Sequence, residues 1–240
     1  KDNKTSWSIE SIDPSIDLVG ENDVERCIWN TYYQALNHLG SIAKTWFMDL
    51  KKKKLRTDVE NFTKTYISSL VIRNKAETVR RALEQDTDLV DDTLEIQISK
   101  SGKVVTAYYF IDNQTMEVVF KYPDTYPLKD ISFEGVQLVG AREKQWRAWI
   151  LASQSALKTN GGSILDSLDL FKRNVTMHFD GVAACAICYS ILHEDHTLPT
   201  KECGTCHNRF HTDCLYRWFK SGSTESCPLC RTEMSFRIGH

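Results

Sequence analysis

The sequence predicts an α+β chain in three parts: a helical segment over 1–90, a four-stranded antiparallel sheet with following helices over 91–180, and a small zinc-held unit over 181–240. Three observations lead there. Apolar residues recur at three- and four-residue spacing as far as Gln85. From Thr93 they alternate with polar ones. From Cys185 onward, cysteines and a histidine recur in closely spaced pairs. The composition, 41% hydrophobic and 26% charged, is that of a globular chain and excludes disordered and fibrous classes. A net charge of -2 leaves any contact with a polyanion to a local patch. The longest apolar run, Val104 to Ile111, has 8 residues and includes Thr106, against the roughly 18–20 that span a bilayer. No membrane partner is therefore expected. The absence of a basic, then apolar, start gives secretion no support, and Lys1 in first place suggests a piece of a longer polypeptide.

The first part reads as two long amphipathic stretches. Val24 to Asp49 carries Ile28, Tyr32, Ala35, Leu39, Ile42 and Trp46 at helical spacing, and Thr57 to Gln85 continues in the same way. Between them, Lys51-Lys52-Lys53-Lys54-Leu55-Arg56 is a solvated helix end or loop, or else a phosphate contact. Cys27 is expected in the core of its helix and, with no histidine spaced to pair with it, is not a catalytic thiol.

In the second part, Leu94, Ile96 and Ile98 alternate with Glu95, Gln97 and Ser99, the pattern of a half-buried strand. Ser101-Gly102 turns the chain into a strand from Val104 to Ile111, and Asp112-Asn113 turns it into another over Met116 to Lys121. Tyr122-Pro123-Asp124-Thr125-Tyr126-Pro127 interrupts the sheet, because neither proline donates to a ladder. A short strand over Ile131 to Val136 follows, then a helix from Arg142 to Lys158 with Trp146, Trp149 and Ile150 on one stripe, closed by Asn160-Gly161-Gly162. Ser163 caps a last helix running to about Met177.

The third part carries the chemistry. Seven of the eight cysteines lie here, an odd number that suits a disulfide framework poorly. Cys185/Cys188, Cys203/Cys206 and Cys227/Cys230 are C-x-x-C pairs, and His211/Cys214 is an H-x-x-C pair. Eight such donors in four pairs supply two tetrahedral zinc ions. His207, next to Cys206, is an alternative ligand to it; His193 and His196, without spaced partners, read as solvated loop residues.

The run C-x2-C-x14-C-x2-C-x4-H-x2-C-x12-C-x2-C resembles the cross-braced RING family, with Cys then His at the fourth and fifth ligands where common members have His then Cys. The resemblance implies one site from Cys185, Cys188, His211 and Cys214, and a second from Cys203, Cys206, Cys227 and Cys230. Interleaved clips suit a unit of about 46 residues between its outer ligands, too short to bury an adequate core. PHD fingers share the ligand order but carry an aromatic two residues before the seventh ligand, where this chain has Glu225. The resemblance further implies that Ile187, Trp218 and Pro228 form the groove for a ubiquitin-conjugating enzyme, and that Arg231 is the linchpin bridging that enzyme to its ubiquitin. Each also has a packing reading: Ile187 as filler between metal clips, Trp218 as a helix core aromatic, Pro228 as turn chemistry, Arg231 as a solvated charge.

The sheet with its Y-P-x-x-Y-P loop and two helices resembles an RWD domain, a relative of the ubiquitin-conjugating fold. Thioester chemistry needs a cysteine, and 92–180 has none, so this part is a docking module. Helices, RWD domain and variant RING in this order resemble the C-terminal end of the listerin family of ubiquitin ligases. That resemblance implies a cytosolic RING-type E3 ubiquitin ligase that tags stalled nascent chains on the large ribosomal subunit together with other quality-control factors. It also implies that the first helices end a helical-repeat body. The rival readings are a non-catalytic zinc interaction module, or a ligase for another substrate in which the RWD domain docks it. RNA binding through the third part is disfavoured, because 180–240 holds six Lys/Arg against seven Asp/Glu.

Overall fold

The computed structural model describes residues 24–85, 92–137, 139–159, 163–222 and 225–234. The expectations for 1–23 and 86–91, for the Asn160-Gly161-Gly162 helix closure and for 235–240 lie outside them. The architecture is the expected mixture of helices and an antiparallel sheet.

The first amphipathic stretch is two helices, α1 (Val24–His38) and α2 (Gly40–Asp49), where one helix was expected. Leu39 sits outside helical geometry at φ -118 and ψ 35, and the chain bends there. Neither does the expected stripe line the core: Ile28, Leu39, Ile42 and Trp46 are exposed, while Tyr33, Leu36 and Phe47 are buried. Cys27 is exposed, contrary to the core position expected of it. α3 (Lys53–Phe62) runs through a π-helical segment over 63–67 into α4 (Ser68–Gln85). Of the basic run, Lys53 to Arg56 form the first turn of α3, and Arg56 lays its guanidinium 5.0 Å above the Phe47 ring.

The sheet has the order β1 (Leu94–Ile98), β2 (Val104–Ile111), β3 (Gln114–Lys121) and β4 (Ser132–Gly135). All of its pairings are antiparallel, as the short turns require. Register aligns Leu94 with Tyr109 and Met116, Ile96 with Ala107 and Val118, and Ile98 with Val105, Phe120 and Phe133. With a side-chain period of two, these rows share one face. α5 (Glu143–Thr159) and α6 (Ile164–Phe179) cover that face: Phe171 meets Phe133 and Trp146 edge-on, and the Tyr109 hydroxyl is 3.0 Å from that of Thr176. Gly135 is glycine because α5 lies directly on β4, so that a Cβ there would run into the Trp146 ring. Ser163 caps α6 as expected, its hydroxyl accepting from the Asp166 N–H at 3.2 Å.

The helical segment shares a core with the sheet. One buried cluster runs from Leu36, Phe47, Ile67 and Ile72 through the sheet to Phe171 and Val175. The Y-P-x-x-Y-P loop is the joint: Tyr122 and Tyr126 are buried edge-to-face, and burial pushes the Tyr126 hydroxyl up to about 12. Lys44 pairs with Asp130, Glu60 with Lys129, and Lys64 with Asp124 across it. Exposed pairs of this kind contribute about 0–1 kcal/mol each, so apolar burial holds the joint and the ion pairs set its register.

Candidate zinc centres and conjugating-enzyme groove

The C-terminal unit consists of β5 (Lys201–Glu202) paired with β6 (Arg209–Phe210), α7 (Thr212–Ser221), and loops around two donor clusters. Its buried set is Cys185, Cys203, Phe210, Cys214, Leu215, Cys227 and Met234. Four of the seven are thiols, so few apolar side chains hold this unit. Structural zinc, worth about 10–16 kcal/mol per site in small zinc peptides, supplies the missing stability.

The sequence builds each C-x-x-C pair in the same way. The residue after the second cysteine adopts a left-handed backbone and donates its N–H back to the carbonyl of the first cysteine. Tyr189 does so at φ 62 and 2.7 Å, His207 at φ 57 and 2.9 Å, and Arg231 at φ 64 and 3.1 Å. None is glycine, and each position costs about 1–2 kcal/mol that the surroundings must offset. The turn points both sulfurs inward and sends the following side chain outward. His207 therefore leaves the cluster, its Nδ1 lying 3.0 Å from Glu202 Oε1, and Cys206 stays in it.

The structure brings together Cys185, Cys188, His211 and Cys214 as one set and Cys203, Cys206, Cys227 and Cys230 as another, pairs one and three crossing pairs two and four. A tetrahedron with Zn–S of about 2.3 Å has S···S edges of about 3.8 Å. Cys203 Sγ lies 3.6 Å from Cys230 Sγ, and Cys206 Sγ lies 3.7 Å from Cys227 Sγ. His211 Nδ1 is 3.3 Å from Cys188 Sγ and 3.8 Å from Cys214 Sγ. These separations fit a shared cation and are far too long for a disulfide, which needs about 2.05 Å. His211 Nε2 lies 3.2 Å from the Ile191 carbonyl, so donation there leaves the Nδ1 lone pair for metal. The donor chemistry agrees: burial pushes the Cys214 thiol up to about 12 and the Cys227 thiol up to about 11. The Thr232 hydroxyl and N–H beside Cys230 bring its thiol down to about 6. Each cluster thus offers the four soft donors that one zinc ion takes.

His193 departs from expectation, since it is 8% exposed and its ring lies 5.2 Å from that of His211. Its loop is held against the sheet unit, where sequence alone gave it no partner.

Ile187 and Trp218 are half-buried and line one cleft of about 590 Å³. The Trp218 indole is oriented by its Nε1–H, which donates to the Ser226 carbonyl at 2.9 Å. Arg231 is exposed, with its guanidinium 5.7 Å from the centre of the Trp218 ring. Pro228 is half-buried in the last knuckle but does not line the cleft.

Sequence reasoning missed Asp112. Its carboxylate accepts from the N–H groups of Ile191 at 2.6 Å and Leu192 at 3.0 Å, tying the sheet unit to the loop between the first two cysteine pairs. Asp112-Asn113 was legible as a turn, and an aspartate with spare acceptor capacity was the available signal; nothing local named its partner.

Two interleaved four-donor clusters beside a cleft, carried on a four-stranded sheet backed by two helices, define a RING finger protein built onto a ubiquitin-conjugating-like domain. Family models agree: the ubiquitin conjugating domain-like model matches residues 94–178, the Ring finger domain 183–231, and the LTN1 family HEAT repeat region 1–80. The chain is 41% identical over 223 residues to the E3 ubiquitin-protein ligase listerin of Schizosaccharomyces pombe, covering 92% of this chain and 14% of that protein. It is 41% identical over 216 residues to the Saccharomyces cerevisiae listerin, covering 90% and 14%, and 32% identical over 218 residues to that of Neurospora crassa, again covering 90% and 14%. The chain belongs to the listerin family, and it spans about one seventh of the length of these curated relatives. Among the described residues, no helix is long and apolar enough to cross a membrane.

Proposed function

We propose that this chain acts as a RING-type E3 ubiquitin ligase, recruiting a ubiquitin-conjugating enzyme charged with ubiquitin and promoting transfer to a lysine. The observation that carries this reading is the cleft beside the first donor cluster, lined by Ile187 and Trp218. The printed name of its relatives, E3 ubiquitin-protein ligase, supports it.

The chemistry resides in the conjugating enzyme. The lysine amine attacks the thioester carbonyl, a C–N bond forms, the C–S bond breaks, and the enzyme's thiolate leaves while the amine's proton passes to solvent. The ligase contributes position. Zinc would supply a rigid frame and no reaction step. Ile187, Trp218 and Pro228 would hold the conjugating enzyme's loops, and Arg231 would bridge it to ubiquitin through its forked donors. Favouring a folded-back ubiquitin raises the fraction of thioester competent for attack. No covalent intermediate on the ligase is needed, and the cysteines suit that: Cys27 alone stands outside the donor clusters, while 94–178 has the conjugating-like fold without any cysteine. The test is discharge of ubiquitin from a charged conjugating enzyme onto free lysine, with zinc-loaded and zinc-stripped chain. Acceleration by the loaded form alone supports a RING ligase; equal rates across a panel of conjugating enzymes leave a non-catalytic zinc module.

The substrate we propose is the stalled nascent chain on the large ribosomal subunit in the cytosol, with the conjugating-like domain as the docking module. Membership of the listerin family supports this. We also read the helical segment as the end of a repeat body. The exposed Ile28, Leu39, Ile42, Trp46 and Met48 form a face that a neighbouring repeat would cover. Co-sedimentation of the zinc-loaded chain with large subunits bearing a nascent chain tests the placement. Failure to co-sediment while lysine discharge persists favours a ligase for another substrate.

A further inference from the structure

The cleft that Ile187 and Trp218 line has a second wall, and that wall belongs to the conjugating-like domain. Asn113 and Gln114, in the turn between β2 and β3, face Ile187, Glu194, Arg217 and Trp218 across it. Three contacts hold the two walls in register. Asp112, the turn's first residue, adopts φ 51 and accepts from the Ile191 and Leu192 N–H groups. Leu192 is 4% exposed and belongs to the large core of the sheet unit rather than to the C-terminal core. Gly140, at φ +63, donates to the His196 carbonyl at 3.0 Å, and a Cβ there would lie 2.5 Å from Leu192. A loop pinned at both ends in this way leaves little room for the hairpin to swing away from the groove.

We infer that the β2–β3 turn is part of the recruiting surface, with Asn113 and Gln114 contacting the conjugating enzyme beside the RING groove and helping to select which one is recruited. This rests on the ligase reading above. The occupant follows from continuity, since whatever seats on Ile187 and Trp218 meets Gln114 across the same cleft. It follows also from chemistry. Two neutral amides, one acidic and one basic side chain, and an apolar floor suit a polar protein loop rather than a phosphate backbone, which would need an excess of cations. Amides at the edge of such a surface carry hydrogen-bond specificity more than bulk affinity.

The experiment uses the whole zinc-loaded chain and, as probe, the uncharged ubiquitin-conjugating enzyme that the unaltered chain binds most tightly. Dissociation constants are measured for the Asn113→Ala/Gln114→Ala pair, for Gln114→Arg, which sets a second cation opposite Arg217, and for Ile187→Ala. A photo-reactive side chain at position 113 reports proximity directly. We expect the Ala pair to weaken binding about three- to tenfold and Gln114→Arg by more, with zinc content and Tm unchanged and a cross-link to the conjugating enzyme. Affinities within about twofold and no cross-link, while Ile187→Ala weakens binding tenfold or more, would overturn the inference and leave the ligase reading intact. An unchanged affinity for Ile187→Ala as well would overturn both.

Discussion

Asp112 offers the sharpest structural perturbation in the molecule. A single carboxylate oxygen accepts two backbone N–H bonds, at 2.6 and 3.0 Å, from the loop between the first two cysteine pairs. Its backbone lies in the left-handed region at φ 51, so replacement by Ala would add strain of its own. Asp112→Gly removes the acceptor without that strain, while Asp112→Asn keeps an oxygen and tolerates the same conformation. Hydrogen bonds to a charged group are worth about 1.5–3 kcal/mol, but this aspartate is exposed, so solvent screening reduces the pair to about 1–2 kcal/mol. At 1.36 kcal/mol per decade, the Gly variant should raise amide exchange at Ile191 and Leu192 about 5- to 30-fold. Asn should fall in between, and amides in β3 should keep wild-type protection. Amide hydrogen exchange of the zinc-loaded chain reads all three. Unchanged exchange at Ile191 and Leu192 in the Gly variant would mean that other contacts alone hold the loop, and would refute the clamp.

Other expectations follow from the same geometry. Cys27→Ser should leave lysine discharge and a stoichiometry of two zinc ions per chain unchanged, since Cys27 stands outside both clusters; loss of discharge in a loaded, folded variant would point to a covalent step. Cys206→Ser should cost a zinc and His207→Ser should not, which metal analysis after dialysis decides. Zinc ligands must be deprotonated, so zinc affinity should fall as pH falls and each ion bound should release protons, measurable by titration in two buffers of different ionisation enthalpy. Gly135→Ala should destabilise the sheet unit by about 1–3 kcal/mol in urea melts, because the added methyl has only the Trp146 ring to displace.

Metal spacing was the most legible signal in the sequence. A C-x-x-C knuckle is a local object, closed by one backbone hydrogen bond, so Cys185 to Cys188, Cys203 to Cys206 and Cys227 to Cys230 could be read without the rest of the chain. Strands with clean alternation were legible for the same reason, and so was the Ser163 cap. What depended on distant contacts was hidden. The core-facing side of α1 and α2 is chosen by what they pack on, so Tyr33, Leu36 and Phe47 are buried while the regular stripe through Ile28 and Ile42 faces out. Cys27 is exposed with it. The break at Leu39 places Gly40 against Pro127, a contact 87 residues away in sequence. His193 looked like a solvated loop histidine because Asp112, some 80 residues earlier, holds its loop inward.

The most direct test of the central claim separates recruitment from activation. Single-turnover discharge of ubiquitin from a charged conjugating enzyme onto free lysine is measured with the unaltered chain and with Arg231→Ala, a change that keeps a Cβ at φ 64 and so leaves the knuckle's strain as it was. The account predicts that the chain accelerates discharge, that Arg231→Ala loses most of the acceleration, and that the affinity for the uncharged enzyme changes by less than about threefold. Full acceleration by the Arg231→Ala chain, or loss of binding in step with loss of rate, would contradict it.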